Sequence, residues 1–260
     1  MIKTRTTELQ TPEILQSNWD EFLGIIDTYI SSPRKEQLID FYKKYEERFV
    51  LMPAAHKIEY HNAYPGGYVA HVINVVNAAL GVDKAWKDMG VKDTYTTEEL
   101  IFSAINHDLG KFGDFNHEAI IEQTDEWRRN KLGEMYMFNT QLTYMPVPDR
   151  SLWILSSLGI SVTQNEYIAI KTHDGLYDQA NETYLKSWSP ETKPRTSLVY
   201  ILHQADLMAA RIEFEYEFLD KFVEPKKEQK TTVKKTSPQE KAYKQLGSKN
   251  PNLANMLKNL

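Results

Sequence analysis

The sequence predicts an all-α protein, a helical bundle with room for one small β-hairpin. Apolar residues recur at spacings of three and four along most of the chain, the pattern that gathers them on one face of a helix. Two Thr-x-x-Glu signatures, Thr96 with Glu99 and Thr163 with Glu166, stand just before such runs as capping boxes. Alternation with a period of two is confined to residues 134–145.

Taken in order, Ser17-Asn18 is expected to cap a first helix whose buried stripe is Trp19, Phe22, Leu23, Ile26 and Ile30. Ser32-Pro33 opens a second with proline at its first position, and Leu38, Tyr42, Tyr45 and Phe49 continue its apolar face. After Pro65-Gly66-Gly67, a third helix turns Tyr68, His71, Val72, Val75, Val76 and Ala79 to one side. A fourth runs from Thr97 to about Asp108 and is stopped by Gly110. Tyr136, Phe138, Leu142 and Tyr144 alternate around Asn139-Thr140 and predict the hairpin. A helix capped by Thr163 reaches His173 and ends at Gly175; the last, from Thr196 to about Leu219, spaces Val199, Leu202, His203, Asp206, Ala209 and Ile212 along its length.

Length and composition fit one globular core with appendages: 260 residues, 41% hydrophobic, formal charge −5. Residues 1–55 read as a helical extension packed on the core, 56–222 as the core and 223–260 as a basic tail. Between positions 221 and 249 nine lysines face three glutamates, a local +6 that leaves −11 for the rest of the chain. With Pro225, Thr236-Ser237-Pro238 and Tyr243 as its one aromatic residue, this tail is expected to be solvated and capable of weak nucleic-acid contact.

Cysteine is absent, which excludes a disulfide scaffold, a thiolate zinc site, an iron–sulfur cluster and a cysteine nucleophile. Any metal must sit on nitrogen and oxygen. The longest apolar runs, such as 198–202, fall far short of the roughly 20 residues that cross a bilayer. No apolar stretch comes after Met1-Ile2-Lys3-Thr4-Arg5, so the expectation is a cytoplasmic chain with no membrane contact.

Chemistry concentrates on the histidines. His71, His107, His173 and His203 all fall in or at the ends of apolar helices. The doublet His107-Asp108 ends one such helix, where a buried carboxylate without a partner would cost several kcal/mol. Asp206 poses the same problem in the middle of the last helix, with His203 three residues earlier on its face. A divalent cation satisfies both. Two imidazoles and two carboxylates suit Mn²⁺, Fe²⁺, Co²⁺, Ni²⁺, Zn²⁺ or Mg²⁺ without choosing among them.

The order His71, His107-Asp108, Asp206 resembles the signature of the HD-domain superfamily of metal-dependent phosphohydrolases. The blocks that carry it are His61-Asn62-Ala63-Tyr64-Pro65-Gly66-Gly67-Tyr68-Val69-Ala70-His71, His107-Asp108-Leu109-Gly110-Lys111, Thr172-His173-Asp174-Gly175 and Leu202-His203-Gln204-Ala205-Asp206. The resemblance implies an all-α HD-domain bundle in which His71, His107, Asp108 and Asp206 hold one metal, Lys111 contacts substrate phosphate, and Asp108, Lys111 and His173 serve catalysis. It is closest to the branch that includes HD-type 3′→5′ exoribonucleases, and is similar to HD proteins encoded by tailed bacteriophages. That branch reads HHG where this chain has His173-Asp174-Gly175, and a Gly-His where the nearest candidates are Gly133-Glu134 and the earlier His117. One firm metal is therefore expected, with His173, Asp174, His61 and His203 beside a second metal or the substrate.

Each remaining feature has a plain alternative. Gly66-Gly67 is a turn or a place where backbone approaches phosphate. His56 and His61 read as loop histidines at the surface, with substrate contact open to His61; Lys111 is either a phosphate ligand or a charge complementing its helix dipole. Arg128-Arg129 and Arg150 read as a solvated face, with a phosphate clamp as the alternative. Trp153, Tyr167, Tyr177, Tyr184 and Trp188 read as core, with base stacking as the alternative. The function expected is hydrolysis of a phosphate ester, in a nucleotide or at a nucleic-acid end, by metal-activated water; the rival is a nucleotide-sensing protein that turns nothing over.

Overall fold

Helix α4 (Gly67–Asp88) forms the centre of the molecule because its sequence offers no charged face over its first ten positions. Every residue from 67 to 76 is buried, so the one-sided stripe expected there is a helix enclosed on all sides. The computed structural model describes residues 10–57 and 60–223, which places the basic tail outside the described residues.

Around α4 pack α1 (Pro12–Tyr29), α3 (Glu46–Leu51), α5 (Thr97–Asn106) and α9 (Leu198–Val223), with α2 (Arg34–Lys44), α6 (Val147–Ser157), α7 (Gln164–Thr172) and the short α8 (Glu182–Leu185) completing an all-α bundle. One continuous apolar core runs from Leu15, Trp19 and Phe22 on α1 to Leu202 and Ala209 on α9. The chain between α5 and α6 adds a two-stranded antiparallel ribbon, β1 (Ile120–Glu122) with β2 (Tyr136–Phe138), paired Ile120 to Phe138 and Glu122 to Tyr136. The second strand lies in the stretch expected to alternate. Its partner precedes it rather than coming after Asn139-Thr140, because Asn139 instead ties its amide to the Glu118 carbonyl and its backbone to Ala119.

Both capping boxes form, at Thr96/Glu99 and Thr163/Glu166. The start of α1 differs from the expectation. Thr11 caps it and Pro12 is its first residue, so the helix begins upstream of Ser17 and buries Asn18 in its interior. The helix expected from Pro33 to Phe49 is broken at Tyr45 (φ −115°, ψ 27°). With that break, Tyr45 and Phe49 both reach the ring of Phe112, at centroid distances of 5.1 and 4.9 Å. Phe41 joins them at 5.3 Å, and the Arg48 guanidinium lies 4.3 Å over the same ring. This aromatic cluster fixes the 3₁₀ turn Leu109–Phe112, which comes directly after the His107-Asp108 doublet.

Gly66 opens α4 at φ +82°, and a Cβ on Gly67 would collide with the Asn62 carbonyl oxygen. The two glycines thus serve a tight turn and close backbone packing. No helix among the described residues is long and apolar enough to cross a membrane.

Candidate metal centre

Four helices deliver the histidine and acidic side chains to one point. His71 comes from the buried first turns of α4, and Asp206 from the middle of α9. His107 caps the end of α5 in helical geometry (φ −55°, ψ −44°), after which Asp108 leaves the helix (φ −101°, ψ 10°) and turns back toward the ring. His173 closes α7 in the same way. Ser151 holds the α5 end in place: its Oγ accepts from the Gly110 N–H at 2.7 Å and lies 3.0 Å from the His107 carbonyl.

His71 Nε2 stands 3.2 Å from Asp206 Oδ1 and 3.6 Å from Asp108 Oδ2. His107 Nε2 stands 3.5 Å from Asp108 Oδ2 and 3.7 Å from Asp206 Oδ1. The other Asp108 oxygen, Oδ1, faces His173 Nε2 at 3.6 Å. Donors bound at about 2.1 Å to a common ion stand about 3.0–3.4 Å apart, so these separations are close to those of a ligand set. His71, His107 and Asp206 form one such group, and His107, Asp108 and His173 another, each with donor atoms within 4.8 Å of one another.

The imidazoles are anchored as metal ligands are. His107 Nδ1 lies 2.8 Å from the Ala104 carbonyl and His173 Nδ1 2.8 Å from that of Ile170. A carbonyl can only accept, so both rings carry a proton on Nδ1 and aim Nε2 inward. His71 Nδ1 bonds Glu213 Oε2 at 2.9 Å, and Glu213 Oε1 takes a second bond from the Asn74 amide at 2.7 Å. Among the described residues, His71 Nε2 and His107 Nε2 are buried and make no hydrogen bond. Buried ring nitrogens aimed at two carboxylates fit a cation held between them.

Electrostatics agree. Burial opposes charge on Asp108 and Asp206, yet Lys111 and His107 hold the first well below the usual carboxylate range, and His71 and His107 lower the second. Burial likewise opposes a proton on His71, but Glu213 and Asp206 outweigh it and hold the ring up at about 10. Asp174 and Asp108 do the same for His173, at about 9. Raised imidazole and lowered carboxylate pKa values together mark a pocket in which acidic side chains favour positive charge.

Lys111 Nζ sits 2.5 Å from Asp108 Oδ2, largely buried, with burial overcome by that carboxylate so that its pKa is raised. It is no solvated helix-end charge. His61 lies against His71 (ring centroids 4.4 Å apart), its Nε2 buried and unbonded among the described residues. Burial and the neighbouring His71 push His61 down to about 4, so the ring is neutral. Asp174 Oδ1 lies 3.6 Å from His173 Nε2, at a side-chain exposure of 43%. His203 stays outside the converging donors: its Nδ1 bonds the His173 carbonyl at 2.8 Å, and its ring fills the space above Gly175 that a Cβ would need. His117 pairs with Asp114, and Glu134 with Arg128.

Two expectations are overturned by packing. Arg150 is buried rather than solvated, its guanidinium bonded to the carbonyls of Gly110 and Thr143. Trp153, Tyr167, Tyr177, Tyr184 and Trp188 are exposed rather than core, because they ride on the outer faces of α6, α7 and the α7–α9 connection.

Glu213 and Asn74 escape the sequence reading. A signal exists: Glu213 stands seven residues after Asp206 on α9, and Asn74 three after His71 on α4, each on the buried face of its helix. Compared with known proteins, the chain matches no family model, no curated protein and no solved structure.

Proposed function

We propose that this chain is an HD-type metal-dependent phosphohydrolase that cleaves a phosphate ester in a nucleotide or at a nucleic-acid end. The observation that carries the proposal is the pair of buried, unbonded Nε2 atoms of His71 and His107 facing Asp108 and Asp206. Those four residues would hold the ion, with His173 and Asp174 beside it. A divalent ion bound there supplies Lewis acidity and a water of lowered pKa.

The chain's own groups then divide the work. In the net reaction, a water oxygen bonds to phosphorus, the ester P–O bond breaks and the alcohol leaves with a proton. Lys111, already at the edge of the cluster, offers a cation for the charge that grows on the phosphoryl oxygens. His61, neutral at pH 7, presents an unbonded nitrogen at the same edge. Glu213 and the Ala104 and Ile170 carbonyls keep the three rings in the required tautomer.

The test is hydrolysis of p-nitrophenyl phosphate and a panel of nucleotides with Mn²⁺, alongside metal analysis of protein purified without chelator. Activity and stoichiometric metal are expected in the natural chain, and both should be lost in Asp108→Ala. An Asp108→Ala protein that retains the natural rate would remove the mechanism.

A further inference from the structure

The ribbon between α5 and α6 and the segment before α4 enclose a cavity of about 660 Å³, within the roughly 300–1,000 Å³ range of small-molecule sites. His61 and Lys111 line it, and these two residues also touch the metal centre, through the His71 ring and the Asp108 carboxylate. The cavity therefore opens beside the cluster. Its other walls are chiefly apolar, with Ile120 and Leu142 among them.

Three aromatic residues on this cavity keep much of their surface in solvent: Tyr60 at 51%, Phe138 at 56% and Tyr144 at 88%. Exposed rings gathered at one cavity mark a place where planar apolar surface is covered by a ligand. The His56 ring already lies against Phe138, with centroids 4.0 Å apart. By contrast, Asn139 and Arg150, two lining side chains able to read the edge of a base, are committed to the backbone. The Asn139 amide donates to the Glu118 carbonyl and its oxygen accepts from the Gln141 N–H, while Arg150 serves Gly110 and Thr143.

We propose that this cavity receives the planar ring of the substrate's alcohol by stacking, so that the chain selects aromatic over aliphatic phosphate esters while discriminating little between purine and pyrimidine nucleotides. The proposal rests on reading the adjacent cluster as a phosphoester-cleaving centre. Stacking tolerates any base, since each has a π face, whereas edge hydrogen bonds would not. The ring end sets affinity, and the Lys111 end holds the phosphate.

The experiment compares KM, with Mn²⁺ present, for AMP, CMP, p-nitrophenyl phosphate and glycerol 2-phosphate. KM is expected to be at least about ten-fold lower for the three aromatic esters than for glycerol 2-phosphate, and within about three-fold between AMP and CMP. Phe138→Ala and Tyr144→Ala should each shrink that aromatic-to-aliphatic ratio by about ten-fold; both residues are exposed, so two independent variants guard against a folding defect. Equal KM values across all four esters, or variants that leave the ratio unchanged, overturn the proposal while leaving the phosphohydrolase reading intact. A second readout needs no turnover: calorimetric titration of the metal-free chain with adenosine. Saturable binding that Phe138→Ala weakens by about ten-fold supports the pocket even if no ester is cleaved, in which case the phosphohydrolase reading alone fails. Absence of adenosine binding in the natural chain overturns the pocket.

Discussion

The ends of α5 and α7 are built from the same local pieces and reach different outcomes. Each helix starts at a Thr whose hydroxyl and N3 glutamate form a capping box, and each ends in a His whose Nδ1 bonds the carbonyl three residues back. An Asp and a 3₁₀ turn come next in both. Yet the Asp108 side chain is 6% exposed among three imidazoles and a lysine, whereas that of Asp174 is 43% exposed at the rim. The two turns differ in their anchors. Phe112 locks the turn after Asp108 into an aromatic cluster, and Ser151 clamps its backbone. The turn after Asp174 instead carries Leu176 and Tyr177, both solvent-exposed. Local sequence places the imidazole; packing at the turn that comes after it sets how deeply the neighbouring carboxylate is buried.

The strongest way to break this comparison is to remove the anchor. Phe112→Ala should cost about 3–5 kcal/mol in denaturant unfolding, against within about 0.5 kcal/mol for the exposed Tyr177→Ala on the other turn. Next come the carboxylates themselves. Asp108→Asn is expected to weaken Mn²⁺ binding by about 100-fold or more in calorimetry, and Asp174→Asn by less than about ten-fold; comparable losses would make the two ends equivalent.

His71 differs from the other two rings in being anchored by a side chain, which makes its support open to mutation. Glu213→Gln should lower metal affinity about 10–100-fold without removing a donor atom. Proton competition sharpens the picture further. His71 and His173 titrate at about 10 and about 9 in the ion-free chain against 6.5 for a free imidazole. Because these folded pKa values are raised, the stabilisation from the two imidazoliums is complete below about pH 6.5 and is lost as pH climbs through about 9 and 10. Thermal unfolding in chelator should show that decline. Mn²⁺ binding at about pH 7 should release about two protons, measured calorimetrically in buffers of different ionisation enthalpy, and fewer at about pH 10.

Modest effects belong to the helix starts. Thr96→Ala and Thr163→Ala should each cost about 1 kcal/mol, or about 2–4 °C in Tm. The second should cost more, because Thr163 Oγ1 also donates to Glu99 at 2.8 Å and so joins the two capping boxes.

Much of this centre is legible in the sequence. His107-Asp108 and Asp206 stand out because a carboxylate in an apolar helix demands a partner, and His71 because it sits in a helix whose first ten positions carry no charged face. Glu213 is harder to single out: its seven-residue spacing from Asp206 marks a shared face, but Glu215 and Glu217 stand close by in the sequence. Its burial depends on α4 lying alongside, where His71 and Asn74 meet it. Arg150 reads as solvated for the same reason, since only the return of residues 110 and 143 over α6 gives its guanidinium acceptors.

The sequence by itself determined the all-α class, the two capping boxes and the imidazoles with their acidic neighbours, because caps, periodicity and the cost of a buried charge act over a few residues. Tertiary structure decided which acidic residue turns inward with its histidine, which strand pairs with Tyr136–Phe138, and where aromatic rings are left uncovered beside the centre. Those outcomes depend on surfaces brought together from opposite ends of the chain, and burial is a property of such a meeting rather than of any one segment.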